Sequence, residues 1–281
     1  MDHCLLNDLK GFGMIKKIVT VSLTLCISLF GAIDKHELDG LKVGALVVKD
    51  LNTKHVLYSK DAEKRVSPAS LTKVMTALLA IQSGKMNHAV TITKEMTKVE
   101  PTIAGYKRGD VVLMSDLVKA AMIKSDNDAA KAIAITVGGD EEHFIAMMNI
   151  KAKQIGMNRT HFTNPCGYDG ADHYSTPTDL LKMTEYAIKN STFNTISKLN
   201  SHVYYVLNKD KLKLFKAYTH NRLLNRYQYA VGVKTGFTNK AGACLIARAK
   251  KDGRDCLIVM MNAKVDRWKT AKAIFEQVLE S

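Results

Sequence analysis

Three short segments, taken in chain order, constrain this chain more than any other feature: Ser70-Leu71-Thr72-Lys73, Ser125-Asp126-Asn127 and Lys234-Thr235-Gly236. Each supplies a hydroxyl, an amine or an amide. Together they are the parts of a serine acyl-transfer site that uses lysine as its base. Taken singly, each has a plainer explanation: capping beside a solvated lysine, a run of preferred N-cap residues, a surface lysine beginning a strand. Their joint occurrence, in this order and on the elements that follow, overturns those explanations.

Ser67-Pro68 reads as an N-cap followed by proline at the first helical position, where its missing N–H costs nothing. The helix runs through Val74, Met75, Leu78, Leu79 and Ile81 and ends near Gly84. This places Ser70 in the first turn, where free N–H groups and the helix dipole favour negative charge on its oxygen. Lys73, at i+3, lies on the same face. A serine hydroxyl needs a neighbouring base, and a lysine serves once burial or nearby cations lower its pKa toward neutrality.

Ser125-Asp126-Asn127 falls between two apolar helical stretches, Leu117–Ile123 and Ala129–Ala134. A loop there aims Ser125 and Asn127 into a cleft with Asp126 turned away. Ser125 then relays a proton to the leaving amine, and Asn127 holds the substrate amide and Lys73. Lys234-Thr235-Gly236 precedes a strand at Ala241–Ala249, a two-residue turn at Asp252-Gly253 and a return strand at Asp255–Asn262. Gly236 lets a substrate backbone lie close to the strand edge, and Lys234 and Thr235 fit a carboxylate.

The rest of the chain supplies a frame. Strands at Val43–Lys49 and His55–Tyr58 precede a helical region, and further strands follow residue 202 or so. That order predicts one sheet built from both ends of the chain, with a helical lobe inserted and a last helix, Trp268–Leu279, covering the sheet. Only four prolines occur and none marks a junction, so residues 34–281 read as one domain. Residues 1–33 read as an export leader that begins at Met14: Lys16-Lys17, the apolar run Ile18–Phe30, and cleavage near Gly31-Ala32, giving a periplasmic or cell-envelope protein.

Three cysteines remain beyond the leader. With the turn at Asp252-Gly253, Cys256 faces Ala249 and Cys244 faces Met261. The two cysteines then point to opposite faces, and no disulfide is expected. No metal-ligand spacing appears, and neither metal nor cofactor is expected. The net charge of +14 comes without a basic, aromatic-interleaved helix, so nucleic acid is not expected. A carboxylate-rich wall polymer is the more economical partner, alongside a simple solvated surface.

The segments Ser67–Thr76, Lys124–Ala129, Asn164–Gly170 and Gly232–Thr238 resemble the low-molecular-weight penicillin-binding proteins of the D-alanyl-D-alanine carboxypeptidase type, and the resemblance spans about residues 40–280. It implies an α/β (α+β) penicillin-recognising serine transferase, or β-lactamase-like, fold: a mainly antiparallel five-stranded sheet flanked by helices, with the site between sheet and lobe. It implies that Ser70 attacks the penultimate D-alanine of a peptidoglycan stem pentapeptide, that Lys73 takes its proton and that Ser125 delivers one to the departing D-alanine. It implies an oxyanion hole made by the backbone N–H groups of Ser70 and Phe237, a kind of site worth roughly two to three orders of magnitude in rate per donor. It also implies that Lys234 and Thr235 hold the terminal carboxylate with Arg267 as a further carboxylate-binding arginine, alongside Gly236 and Asn127 in their substrate-binding roles. The implied partners are stem peptides, β-lactam antibiotics as covalent inhibitors, and the nearby membrane surface.

Two departures accompany the resemblance. Phe237 stands where many relatives carry histidine, and with the sequence ending at Ser281 the β-rich second domain and amphipathic anchor of many relatives are not expected. The same motifs serve a D,D-endopeptidase cleaving cross-links. A serine β-lactamase is opposed by the lack of any glutamate between Ile150 and Ser175. A non-catalytic binding module is opposed by the intact Ser70, Lys73 and Lys234. Cys166 is expected to pack and nothing more.

Overall fold

The strand Val43–Asp50 (β1) is apolar on both sides: Val47 packs into one buried cluster, while Leu46 and Val48 pack into another. A strand buried on both faces belongs inside a sheet covered by two layers. The computed structural model, which describes residues 33–279, shows that arrangement. The expected leader lies outside these residues except for Ile33, which packs against the second cluster.

The strands are β1, β2 (Val56–Lys60), β3 (Ala89–Thr91), β4 (Val111–Leu113), β5 (Ser201–Asn208), β6 (Lys211–Tyr218), β7 (Ala230–Thr238), β8 (Gly242–Lys251) and β9 (Arg254–Ala263). The helices are α1 (Lys35–Asp39), α2 (Lys73–Gln82), α3 (Met114–Ile123), α4 (Asn127–Gly138), α5 (Glu141–Ile155), α6 (Pro177–Ala187), α7 (Ser191–Ile196) and α8 (Arg267–Leu279). The central sheet has the order β2-β1-β9-β8-β7 with antiparallel pairs throughout, the five-stranded sheet expected. Trp268, Ile274 and Phe275 of α8 cover one face. The helical lobe covers the other, through residues such as Met75, Leu78, Ala121 and Ala130. Strand β7 is an edge, and its free side meets the lobe. The cleft opens there.

Two expectations need correcting. The strands after residue 202 do not all join the central sheet: β5 and β6 pair with β3 and β4 in a separate sheet, β3-β4-β5-β6. Their alternation marks one buried face, with Tyr204 and Val206 inward and Tyr205 outward, but alternation does not name the neighbouring strand. The α-helix also begins later than expected. Ala69 stands at φ +48°, outside the right-handed helical region, and Ala69–Thr72 form a 3₁₀ turn before α2 starts at Lys73. Ser70 therefore precedes the α-helix instead of sitting in its first turn. The Ser67 hydroxyl, expected to cap, donates to Asp169 Oδ1 at 2.7 Å.

The β8–β9 hairpin turns at Asp252 and Gly253, both at positive φ, as a two-residue turn of this kind requires. Cys256 faces Ala249 as expected, while an irregularity between Ala243 and Leu245 shifts the register at Cys244. Cys244 packs toward the helical lobe and Cys256 toward α8, on opposite faces, and both are free thiols.

Candidate active site

The 3₁₀ turn holds Ser70 at the cleft wall and leaves Lys73 behind it, fully buried. Lys73 Nζ lies 3.0 Å from Ser70 Oγ, 2.7 Å from Asn127 Oδ1 and 2.6 Å from the Cys166 carbonyl oxygen. Burial pushes its pKa down to about 8, with Asp126 and Asp128 pulling the other way. The Asn127 and Cys166 oxygens can only accept, so once the amine is neutral its two N–H groups serve them and its lone pair is left for the Ser70 hydroxyl proton. This is the geometry of a base beside its nucleophile.

Ser125 sits between α3 and α4 at φ +71°, a strained position for a residue with a side chain and worth about 1–3 kcal/mol. The residues after it explain why the strain persists. Asn127 N–H donates to Thr102 O at 2.8 Å, and its amide Nδ2 donates to Glu100 O at 2.8 Å. Asp128 accepts from the backbone N–H groups of Ala104, Gly105 and Tyr106. The start of α4 thus pins the 100–106 segment that walls the cleft and holds Lys73 from its other end. Asp126 turns away from the cleft to lie 3.3 Å from Lys124, and burial raises its carboxyl to about 6.

From the opposite wall, β7 sends Lys234 Nζ to Ser125 Oγ at 2.9 Å and to Thr235 O at 3.0 Å. Lys234 is buried, and burial together with the charges of Lys73 and Arg267 drives its pKa well down. Gly236 lies against the nucleophile turn: a Cβ there would be 3.2 Å from Ser70 N and 3.1 Å from Ala69 Cβ. Any side chain would push strand and serine apart. Backbone groups alternate sides along a strand, so Phe237 presents its N–H on the edge where Thr235 C=O meets Lys234. The Phe237 ring itself is exposed.

Arg267, the first residue of α8, donates through Nη1 to Gly236 O at 2.7 Å and Cys244 O at 2.8 Å, and its guanidinium stacks 4.4 Å above the Trp268 ring. Ser70, Ser125, Thr235, Gly236, Phe237 and Arg267 line one cavity of ≈740 Å³. Lys73, Asn127 and Lys234 stand behind that lining and are hydrogen-bonded into it. All the residues singled out in the sequence therefore converge.

Other contributors carried no role in the sequence reading. Asp169 Oδ1 accepts from Ser67 at 2.7 Å and from Thr238 at 2.8 Å, clasping the nucleophile turn to the end of β7. Asn164 Oδ1 accepts from the N–H groups of Cys166, Gly167 and Tyr168, curling that loop so the Cys166 carbonyl faces Lys73. Gly167, at φ +89°, lies so near that a Cβ would sit 1.9 Å from Ala69 O. The run Asn164-Pro165-Cys166-Gly167-Tyr168-Asp169-Gly170 was the available signal, since an Asn-Pro start and two glycines mark a tight loop. His220 and Arg222 also line the cavity.

The D-alanyl-D-alanine carboxypeptidase DacF of Bacillus subtilis is 33% identical over 236 residues, covering 82% of this chain and 59% of that protein. The chain thus spans about three fifths of that relative's length. A D-alanyl-D-alanine carboxypeptidase of Mycobacterium tuberculosis is 32% identical, over 82% of this chain and 80% of that one. The crystal structure of a Streptomyces DD-transpeptidase superposes with a TM-score of 0.80 at 30% identity, covering 84% of this chain and 97% of that one, and it shares the penicillin-recognising serine transferase fold. The family pattern of the D-alanyl-D-alanine carboxypeptidases matches residues 34–265, and the chain belongs to that family.

Proposed function

We propose that this protein is a serine-type D-alanyl-D-alanine carboxypeptidase that removes the terminal D-alanine from peptidoglycan stem pentapeptides. The carrying observation is the buried Lys73 amine, 3.0 Å from Ser70 Oγ and held there by the Asn127 and Cys166 oxygens, with burial lowering its pKa to about 8. Ser70 Oγ attacks the carbonyl of the penultimate D-alanine and gives its proton to Lys73. The developing oxyanion lies between the N–H groups of Ser70 and Phe237, which Gly236 lets approach each other. The C–N bond then breaks, Ser125 passes a proton to the departing amine, and water hydrolyses the Ser70 ester. Lys234, Thr235 and Arg267 take the terminal carboxylate, whose arrival supplies the anion that the cationic wall lacks.

The stem peptide belongs to the cell wall, so this reading includes export by the leader over residues 14–32. A β-lactam enters by the same attack and stays as an ester. No glutamate occurs between Ile150 and Ser175 to speed its hydrolysis, so the adduct is long-lived. The test combines intact mass after benzylpenicillin with D-alanine release from a pentapeptide. A stoichiometric adduct on Ser70 and release of one D-alanine are expected. A protein that gains no mass, or an adduct that survives Ser70→Ala, defeats the proposal.

A further inference from the structure

The leaving-group half of the cleft carries more positive charge than one carboxylate uses. In the reading above, Lys234, Thr235 and Arg267 serve the carboxylate beside the scissile bond. Arg222 and His220 line the same ≈740 Å³ cavity, and Arg222 lies close enough to Arg267 for their charges to repel. Among the described residues neither guanidinium is paired with a carboxylate, and no acidic side chain lines the cavity. The acids near the site are engaged elsewhere: Asp126 with Lys124, Asp128 with the backbone of residues 104–106, and Asp266, beside Arg267 in the chain, with Arg226 and the N–H groups of Trp268 and Lys269. Like charges held together at a concave surface cost free energy, which an anion placed between them recovers. A terminal D-alanine brings a single carboxylate to this side.

We propose that Arg222 and Arg267 together make the leaving-group side a two-carboxylate subsite, so that the enzyme favours peptides whose departing residue or strand bears a carboxylate beyond the one beside the scissile nitrogen. The inference rests on the acyl-transfer reading and names its substrate class. The chemistry is unchanged: the Ser70 ester forms as the C–N bond breaks, and the acidic amine leaves with one proton.

Two synthetic peptides that differ only in the last residue, D-alanine or D-glutamate, test this with the purified protein. Wild type is expected to give the higher kcat/KM on the D-glutamate peptide. Arg222→Gln is expected to lower the ratio of the two values about tenfold, the size of one charge-assisted hydrogen bond, and Arg222→Lys to restore part of it. Acylation by benzylpenicillin confirms that each variant's cleft is formed. A ratio that Arg222→Gln leaves unchanged overturns this inference while the D-alanine peptide is still cleaved. Turnover of neither peptide, without any penicillin adduct, overturns the parent reading as well.

Discussion

The two halves of the cleft each press a serine hydroxyl against a buried lysine, at 3.0 Å for Ser70–Lys73 and 2.9 Å for Ser125–Lys234, yet their surroundings differ. Lys73 is caged by the oxygens of Asn127 and Cys166, with carboxylates nearby that moderate the cost of burial. Lys234 has a single further acceptor, Thr235 O, and sits among cations. The same residue pair thus becomes a base where its neighbours are neutral acceptors. It becomes an anion seat where its neighbours repel it. Burial lowers both pKa values, but a bound carboxylate relieves only the second.

The comparison breaks most readily at Lys73. Lys73→Ala is expected to slow acylation by benzylpenicillin about 10³-fold, the range of a lost general base, while the circular dichroism spectrum is kept. In wild type the free amine is the active form, so its fraction is full above a pKa of about 8 and falls as the amine protonates below it. The acylation rate should therefore rise about tenfold per pH unit up to about pH 8 and then level. A flat profile between pH 6 and 9 would remove Lys73 from that role.

Lys234 should behave differently. Lys234→Gln is expected to lower kcat/KM about 10²-fold, mostly through KM, because the lost group binds a carboxylate present in both ground and transition states. Steady-state kinetics on a pentapeptide read the split. If Lys234→Gln removes kcat while Lys73→Ala spares it, the two halves have been assigned the wrong way round.

The comparison also shows which parts of the site could be read from sequence. Ser70, Lys73, Ser125 and Lys234 lie within short segments whose local spacing already brings hydroxyl and amine together. The central sheet was legible for a similar reason: β8 and β9 are near-continuous apolar runs joined by Asp252-Gly253, a turn that needs positive φ at both positions. What stayed hidden depends on groups far apart in the chain. The late start of α2 follows from Ala69 at φ +48°, in a turn that packs closely against Gly167, 98 residues on, and no local propensity records that contact. The β5–β6 hairpin shows the period of a strand pair, but its place beside β4 rests on a single pairing, Val111 with Leu207.

Asp169 belongs to this hidden class and sharpens the comparison at the seam between the halves. It bonds Ser67 on the nucleophile side and Thr238 on the β7 side, so it sets the spacing of Ser70 N–H and Phe237 N–H. Asp169→Ala is expected to lower the benzylpenicillin acylation rate roughly tenfold, since small misplacements of reacting groups are costly. Asp169→Asn, which keeps an acceptor, should recover most of it. Equal losses in both variants would show that the clasp works through charge instead of position.

The smallest effect is expected at Cys166, where backbone and side chain of one residue do different work. Its carbonyl accepts from Lys73 at 2.6 Å, while its thiol is buried, is pushed up to about 11 by that burial, and meets only weak partners, Asn127 O at 3.5 Å and the Tyr168 side chain. A thiol so placed is neither a nucleophile nor an acid at neutral pH. Cys166→Ala keeps the carbonyl, so acylation should change by less than about twofold while stability falls by about 1 kcal/mol for the small void left. In wild type, modification by a thiol reagent should be slow until the protein unfolds. A large acylation defect in Cys166→Ala, with Tm preserved, would mean that the base's cage depends on the side chain, and the contrast between a carbonyl-caged and a cation-flanked lysine would have to be redrawn around sulfur.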